Sequence, residues 1–237
     1  LFPLTKDKPK ALLPIDNRPI IEYIIDKLEK IDEVDEIFVA SNGKFYPAFE
    51  EWLNNFKSSK PVSALNDHTF TNETRLGGLG NLWQVIQEKQ INDDLLVIAG
   101  DNLFDFSLKD MFEYFKKDRQ ITVATHELKT LEEAKRFGVV SLDENKIITG
   151  FEEKPENPKF KTITHAIYIY PKEFIKNIEE YMKTDLNKDG PGYLIEHFYK
   201  TNKMKGFLLE GGLFFDIGIP EDYKKADQVW KELNSKK

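Results

Sequence analysis

Four short stretches of this chain carry residues able to handle phosphate, a hard cation and a polyol. The first is Pro9-Lys10. A Lys behind a rigid Pro can set an ammonium on a triphosphate. By residue type alone it is equally a solvated surface Lys, as Lys6 and Lys8 are; the Pro3-Leu4-Thr5-x-x-x-Pro9-Lys10 spacing favours the phosphate reading. The second is Gly100-Asp101, directly after the apolar run at 95–99. An Asp at the carboxyl end of a central strand faces the crevice where α/β proteins bind ligands; the plain alternative is an Asx turn. The third, Asp216, follows the aromatic pair Phe214-Phe215 and precedes Ile217-Gly218. Magnesium takes hard oxygens, often one or two carboxylates plus substrate phosphates, so Asp101 and Asp216 are the candidate Mg²⁺ ligands. The fourth is Glu152-Glu153-Lys154-Pro155, downstream of Phe137-Gly138-Val139-Val140. A Glu there can accept hydrogen bonds from sugar hydroxyls and the Lys can neutralise a sugar phosphate, although a Glu-Glu-Lys run is more commonly a solvated face.

A fifth stretch, Gly77-Gly78-Leu79-Gly80, precedes a helical pattern. Glycines there let backbone approach a flat ligand and can offer N–H groups at a helix start. The spacing is not G-x-G-x-x-G, so it adds nothing for a dinucleotide fold.

The elements that must hold these residues can be read coarsely. Helical spacing covers residues 20–28, 44–56, 79–90, 108–117, 171–182, 192–199 and 220–233. Strands are expected at 37–40, 95–99, 121–124, 207–209 and 214–215, with extended segments at 138–140, 147–148 and 163–170. Strands alternating with helices predict an α/β fold, a Rossmann-like three-layer sandwich with a mostly parallel mixed sheet. We expect one domain over 1–237, with a nucleotide-binding lobe at about 1–104, a sugar-phosphate lobe at about 105–216 and a closing helix at 220–235.

Composition narrows the function. With 40% hydrophobic residues the chain can bury a substantial core. Its net charge of −7 argues against nonspecific nucleic-acid binding and means that a phosphate ligand needs local cations. There is no Cys, which excludes disulfides, thiol catalysis and Cys-ligated zinc, and the four His residues lack H-x-x-x-H spacing. No apolar run approaches the roughly 20 residues of a membrane span. A cytoplasmic protein is expected, with no nucleic-acid or membrane partner; an oligomer is not readable.

Taken together, and in this order, the five stretches resemble the sugar-1-phosphate nucleotidylyltransferases across essentially the whole chain. The family pattern G-x-G-[TS]-R-[LM]-x-P-L-T-x-x-x-P-K is entered here just after its Arg. Gly100-Asp101-Asn102-Leu103-Phe104 and Glu152-Glu153-Lys154-Pro155-x-x-Pro158-Lys159 look most like the glucose-1-phosphate thymidylyltransferase branch. The resemblance implies that Lys10 binds the triphosphate, that Gly77 lies against the nucleobase, and that Asn72 or Glu73 fills the place of a base-reading Gln or Glu. It implies Mg²⁺ on Asp101 and Asp216, with Asn102 contacting substrate. Gly138, Glu153 and Lys154 would hold the sugar phosphate, and Thr164 and Tyr168 would line the sugar site. Lys10, Asp101, Lys154 and Asp216 would be the catalytic set. The implied reaction joins dTTP or UTP to glucose-1-phosphate, giving a nucleotide sugar and pyrophosphate.

Three rivals are weighed. A Glu at position 73 suits guanine's N1–H and N2–H₂, so GTP- or CTP-dependent transfer to another sugar or polyol phosphate is one. A non-catalytic regulatory relative is the second. A glycosyltransferase would carry D-x-D after the central strand, where this chain has Asp101-Asn102-Leu103.

Overall fold

The structure is a computed structural model describing residues 1–71, 73–209 and 211–235. In chain order the elements are β1 (Pro14–Ile15), β2 (Arg18–Pro19), α1 (Ile20–Leu28), β3 (Ile37–Ser41), α2 (Tyr46–Asn55), β4 (Val62–Asn66), α3 (Gly77–Glu88), β5 (Leu95–Ile98), β6 (Asn102–Phe104), α4 (Leu108–Lys116), β7 (Ile121–Glu127), α5 (Leu131–Ala134), β8 (Gly138–Leu142), β9 (Ile148–Glu153), β10 (Thr162–Tyr170), α6 (Ile175–Met182), α7 (Pro191–Phe198), β11 (Met204–Leu208), β12 (Phe214–Asp216) and α8 (Pro220–Asn234). The class is α/β with mixed sheets. Its parallel ladders are β3·β4 and β7·β11, and the remaining ladders are antiparallel.

By contact the chain forms two compact units, and neither is one continuous stretch. Unit 1 comprises Leu1–Arg75, Ala99–Lys109 and Gly212–Lys237; unit 2 comprises Leu76–Ile98 and Asp110–Gly211.

Unit 1 begins with a two-residue hairpin. Asp16 and Asn17 have φ of 47° and 63°, the left-handed pair that a type I′ connection between β1 and β2 requires. Asn17 therefore sits in the turn and Pro19 ends β2, so α1 starts at Ile20, one residue after the Pro. The helix buries Ile20, Ile21, Ile24, Ile25 and Leu28, the stripe its spacing predicts. The last helix, α8, closes on the same hairpin. Tyr223 Oη donates to Pro14 O (2.6 Å), Asp16 N donates to Asp227 Oδ1 (2.8 Å), and Trp230 and Ala226 pack with Leu13, Ile15, Leu103 and Phe215.

Unit 2 is built on a six-stranded sheet in the order β11-β7-β10-β8-β9, with β5 also paired to β10. Strand β10 is its spine, buried along almost its whole length and bonded to β5, β7 and β8. Helices α3, α6 and α7 cover a core of Leu79, Ile86, Val123, Val140, Tyr168, Tyr170, Leu194 and Ile195. The Lys205 ammonium, on β11, is buried: it reaches both Asp118 oxygens (2.9 and 2.8 Å) and lies over the Tyr114 ring. Among the described residues no helix is long and apolar enough to cross a membrane.

Candidate functional site

Within unit 1 the expected phosphate and cation residues come together. Pro9, at φ −67°, feeds a single 3₁₀ turn at Lys10–Leu12. Gly100 lets the next segment lie against it, because a Cβ there would stand 3.3 Å from Ala11 Cβ. Lys10 Nζ consequently reaches Asp101 Oδ2 at 3.3 Å, across 91 residues of sequence. Both side chains are partly solvated, and such a pair contributes only about 0–1 kcal/mol. The ammonium is thus held in place by a contact that is cheap to exchange for a phosphate oxygen.

Asp216 arrives by strand pairing. In the β6·β12 ladder Asp216 stands opposite Asn102, and Ile217 N donates to Asp101 O at 3.1 Å. Asp105 fixes that register: its carboxylate accepts from Leu213 N at 2.7 Å, and Gly212, at φ +87°, leaves room for the same oxygen. Asp216 therefore ends β12 beside the turn that holds Asp101, one residue before its ladder partner Asn102. The Asn102 side-chain nitrogen is buried and has no hydrogen-bond partner among the described residues.

The two acidic residues suit Mg²⁺, which keeps several waters and takes its other oxygens from substrate phosphates, while the unspent Asn102 donor and the Lys10 ammonium suit the phosphates themselves. Among the described residues no group of three or more His, Cys, Asp or Glu forms a metal site.

Unit 2 holds the second cluster. β8 and β9 pair so that Gly138 stands opposite Glu153. A Cβ on Gly138 would come within 2.7 Å of Thr164 Oγ1 and 3.0 Å of Glu153 Oε2, so the missing side chain opens a slot shared by those two groups. Thr164 Oγ1 donates to Gly138 O at 3.4 Å and also meets the Tyr168 hydroxyl. Burial raises the Glu153 carboxyl pKa; the nearby Lys154 pulls it down and Glu196 pushes it up. Burial likewise pushes the Tyr168 phenol well above its ordinary range. Lys154 follows the end of β9 at φ +47°, with its side chain in solvent.

The glycine-rich stretch behaves differently from expectation. The first helical N–H groups of α3 are engaged by the chain itself: Gly78 N donates to Asp189 O (2.7 Å) and Leu79 N to Lys188 O (3.1 Å). Gly77 has φ +76°, and a Cβ there would strike Lys188 O at 2.5 Å. The close approach that this glycine permits is thus to the 188–189 backbone, and the helix start is already satisfied. Glu73 is exposed, its carboxyl held below its ordinary range by a hydrogen bond from Thr71. Asn72 lies outside the described residues.

Sequence reasoning missed Gly192 and Glu196 on α7. Glu153 N donates to Glu196 Oε1 at 3.3 Å, and Gly192 faces the Glu153 carboxylate. Their spacing of four is a helical one-face signal, but nothing in the sequence says which strand that face meets.

The fold is Rossmann-like α/β, with Asp101 and Asp216 close to a Pro-Lys turn. The nucleotidyl transferase family model matches residues 1–232, and the chain belongs to that family. The relatives it resembles are sugar-phosphate nucleotidyltransferases. It is 33% identical over 235 residues to the bifunctional protein GlmU of Methanocaldococcus jannaschii, covering 96% of this chain and 50% of that one. It is 28% identical to a D-glycero-alpha-D-manno-heptose 1-phosphate guanylyltransferase of Aneurinibacillus thermoaerophilus, covering 95% and 90%. The chain spans about half the length of the GlmU relatives that it matches. A UDP-glucose pyrophosphorylase solved with UDP-glucose superposes with a TM-score of 0.81 at 19% identity, covering 98% of this chain and 94% of that one, which shows the shared fold.

Proposed function

We propose that the chain transfers a nucleoside monophosphate from a nucleoside triphosphate to a sugar-1-phosphate, releasing pyrophosphate. The observation that carries this is the convergence of Lys10, Asp101 and Asp216 in unit 1. The nucleophile needs no general base: a phosphate monoester has a second pKa near about 6, so its oxygen is ionised at neutral pH. The difficulty is joining two anions, and the residues present answer it by charge and position.

In this reading Lys10 leaves Asp101 for the triphosphate, and Asp101 and Asp216 hold Mg²⁺. When bound, the ion supplies Lewis-acid neutralisation of phosphate charge. Asn102 donates from its buried amide to a phosphate oxygen. Glu153 accepts hydrogen bonds from sugar hydroxyls in the slot beside Gly138, Thr164 and Tyr168 line the same slot, and Lys154 meets the sugar phosphate. Gly77, with Glu73 or Asn72, remains the proposed base side. A nucleoside triphosphate substrate implies action in the cytoplasm, in nucleotide-sugar biosynthesis.

dTTP or UTP with glucose-1-phosphate is the first pairing to test. An exposed Glu73 keeps a guanylyl activity as the second reading, since a carboxylate accepts from guanine's N1–H and N2–H₂. A pyrophosphate-release screen of the four triphosphates against a panel of sugar-1-phosphates decides. Asp101→Asn and Asp216→Asn should each lower Mg-dependent kcat by about 100-fold, with the exposed Glu144→Gln as an unaffected control. Full turnover in the Asp101 variant removes the cation role; no pyrophosphate from any pair removes the reaction.

A further inference from the structure

Glu153 lies in a slot whose two walls are glycines from different elements. On the β8 side is Gly138, described above. On the α7 side is Gly192, where a Cβ would stand 2.0 Å from Glu153 Oε2 and 2.7 Å from its Cδ. No real Cβ approaches a carboxylate so closely, so any side chain at 192 forces the Glu153 head out of its place. Four residues on, and so on the same face of α7, Glu196 accepts the Glu153 backbone N–H at 3.3 Å. One helix face thus clears space for the carboxylate and holds the strand end that carries it.

We infer that Gly192 and Glu196 are positioning residues that set where the Glu153 carboxylate stands, and so which sugar phosphates the slot accepts. This rests on the proposed reading of Glu153 as the group that meets the sugar. Neither residue touches substrate in this account; both act through Glu153. The α7 face is in turn steadied from its other end, because the 188–189 backbone just before it is bonded to the start of α3.

The test is a double-mutant cycle with steady-state kinetics. Gly192→Ala replaces a helical Gly by the best helix former, so the variant folds. It should raise the KM for the sugar phosphate about tenfold or more, leaving the KM for the triphosphate and the melting temperature near those of the parent. In the Glu153→Ala background, which removes both the carboxylate and its bulk, the same change should cost nothing further, because the group through which it acts is already lost. Additive effects, or an unchanged sugar-phosphate KM in Gly192→Ala, overturn the positioning role. Glu196→Gln, which keeps an acceptor oxygen, should stay within about twofold of the parent, whereas Glu196→Leu should follow Gly192→Ala; equal behaviour of the two overturns the part given to Glu196.

A readout free of turnover separates this inference from the reaction itself. The Glu153 carboxyl can be titrated by ¹³C NMR, with Glu153→Gln identifying its resonance. In Gly192→Ala the displaced carboxylate should titrate closer to an ordinary Glu; an unmoved titration overturns the placement whether or not the protein is active. A moved titration with no activity on any substrate pair leaves Gly192 as the wall of the slot and refutes the assigned reaction.

Discussion

Glu153 shows how one residue's surroundings translate into a pH profile. Burial is the main cause that holds its carboxyl above the ordinary Glu range. The ionised form is the better acceptor for sugar hydroxyls. As pH falls through that raised pKa, Glu153 takes up a proton and the sugar-phosphate KM should climb, while the triphosphate KM follows a different course. The climb should begin at a higher pH than an exposed Glu would give, and should vanish in Glu153→Gln. KM measured against pH for the two variants checks it. Lys10 and Asp101 were legible as candidates because Pro9-Lys10 and Gly100-Asp101 are short motifs, and the structure brings the two side chains together. Gly192 was not, because its value lies in the carboxylate of another element that occupies its missing side chain. Gly77 was legible as a residue that must be Gly, but its contact with the 188–189 backbone was not, because a positive φ and a close approach are the same signal whether the neighbour is a ligand or the chain itself.

At the scale of elements, the strong apolar runs at β3, β5, β7 and β10 and the amphipathic stripes of α1 and α8 were readable from period alone. β4 was not. Val62-Ser63-Ala64-Leu65-Asn66 has one buried residue and no alternation, and it is a strand because β3 offers it a parallel edge. β6 is three residues long, fixed by the β12 ladder and the Asp105 carboxylate. The sheets are mixed: β8, β9 and β10 follow one another with short connections, which favour antiparallel pairing, beside the parallel β7·β11 and β3·β4 ladders. β11 carries the buried ion pair, and its two halves are unequal. Lys205 is almost fully enclosed, with a side-chain exposure of 8%, while Asp118 at 39% meets water. Asp118→Ala strands an ammonium in the core and should cost about 3 kcal/mol or more. Lys205→Met leaves a carboxylate that can hydrate and should cost about half that or less. Urea denaturation of the two variants checks the order; equal losses would show that the charge is not what matters there.

For the molecule as a whole, the buried imidazole of His165 links stability to pH. It is enclosed in β10 with its ring 5.8 Å from that of His126, and burial first, then His126, drives its pKa down to about 3. The unfolded chain protonates this His near its ordinary value of about 6.5, so below that pH the unfolded state binds the proton that the native state refuses. Stability should therefore fall as pH drops from about 6.5 toward 3, by about 1.4 kcal/mol per pH unit from this group alone. Above about pH 6.5 it contributes no slope. Chemical denaturation at pH 7, 6 and 5 should show the decline, and His165→Asn, which does not titrate, should flatten it by about one proton. An unchanged slope would mean that the ring ionises inside the fold.

The interleaving of the two units also sets an order of assembly. Every residue of unit 2 precedes Gly212, so unit 2 has its full sequence while unit 1 still lacks β12 and α8, the pieces that bring Asp216 to Asp101 and cover the first hairpin. During translation residues 1–75 must wait, with the Leu13, Ile15 and Ile20 side chains uncovered, until β12 and α8 emerge. That stretch thus stays open to proteases and chaperones after unit 2 has all its parts, and the acidic pair is completed only when β12 follows.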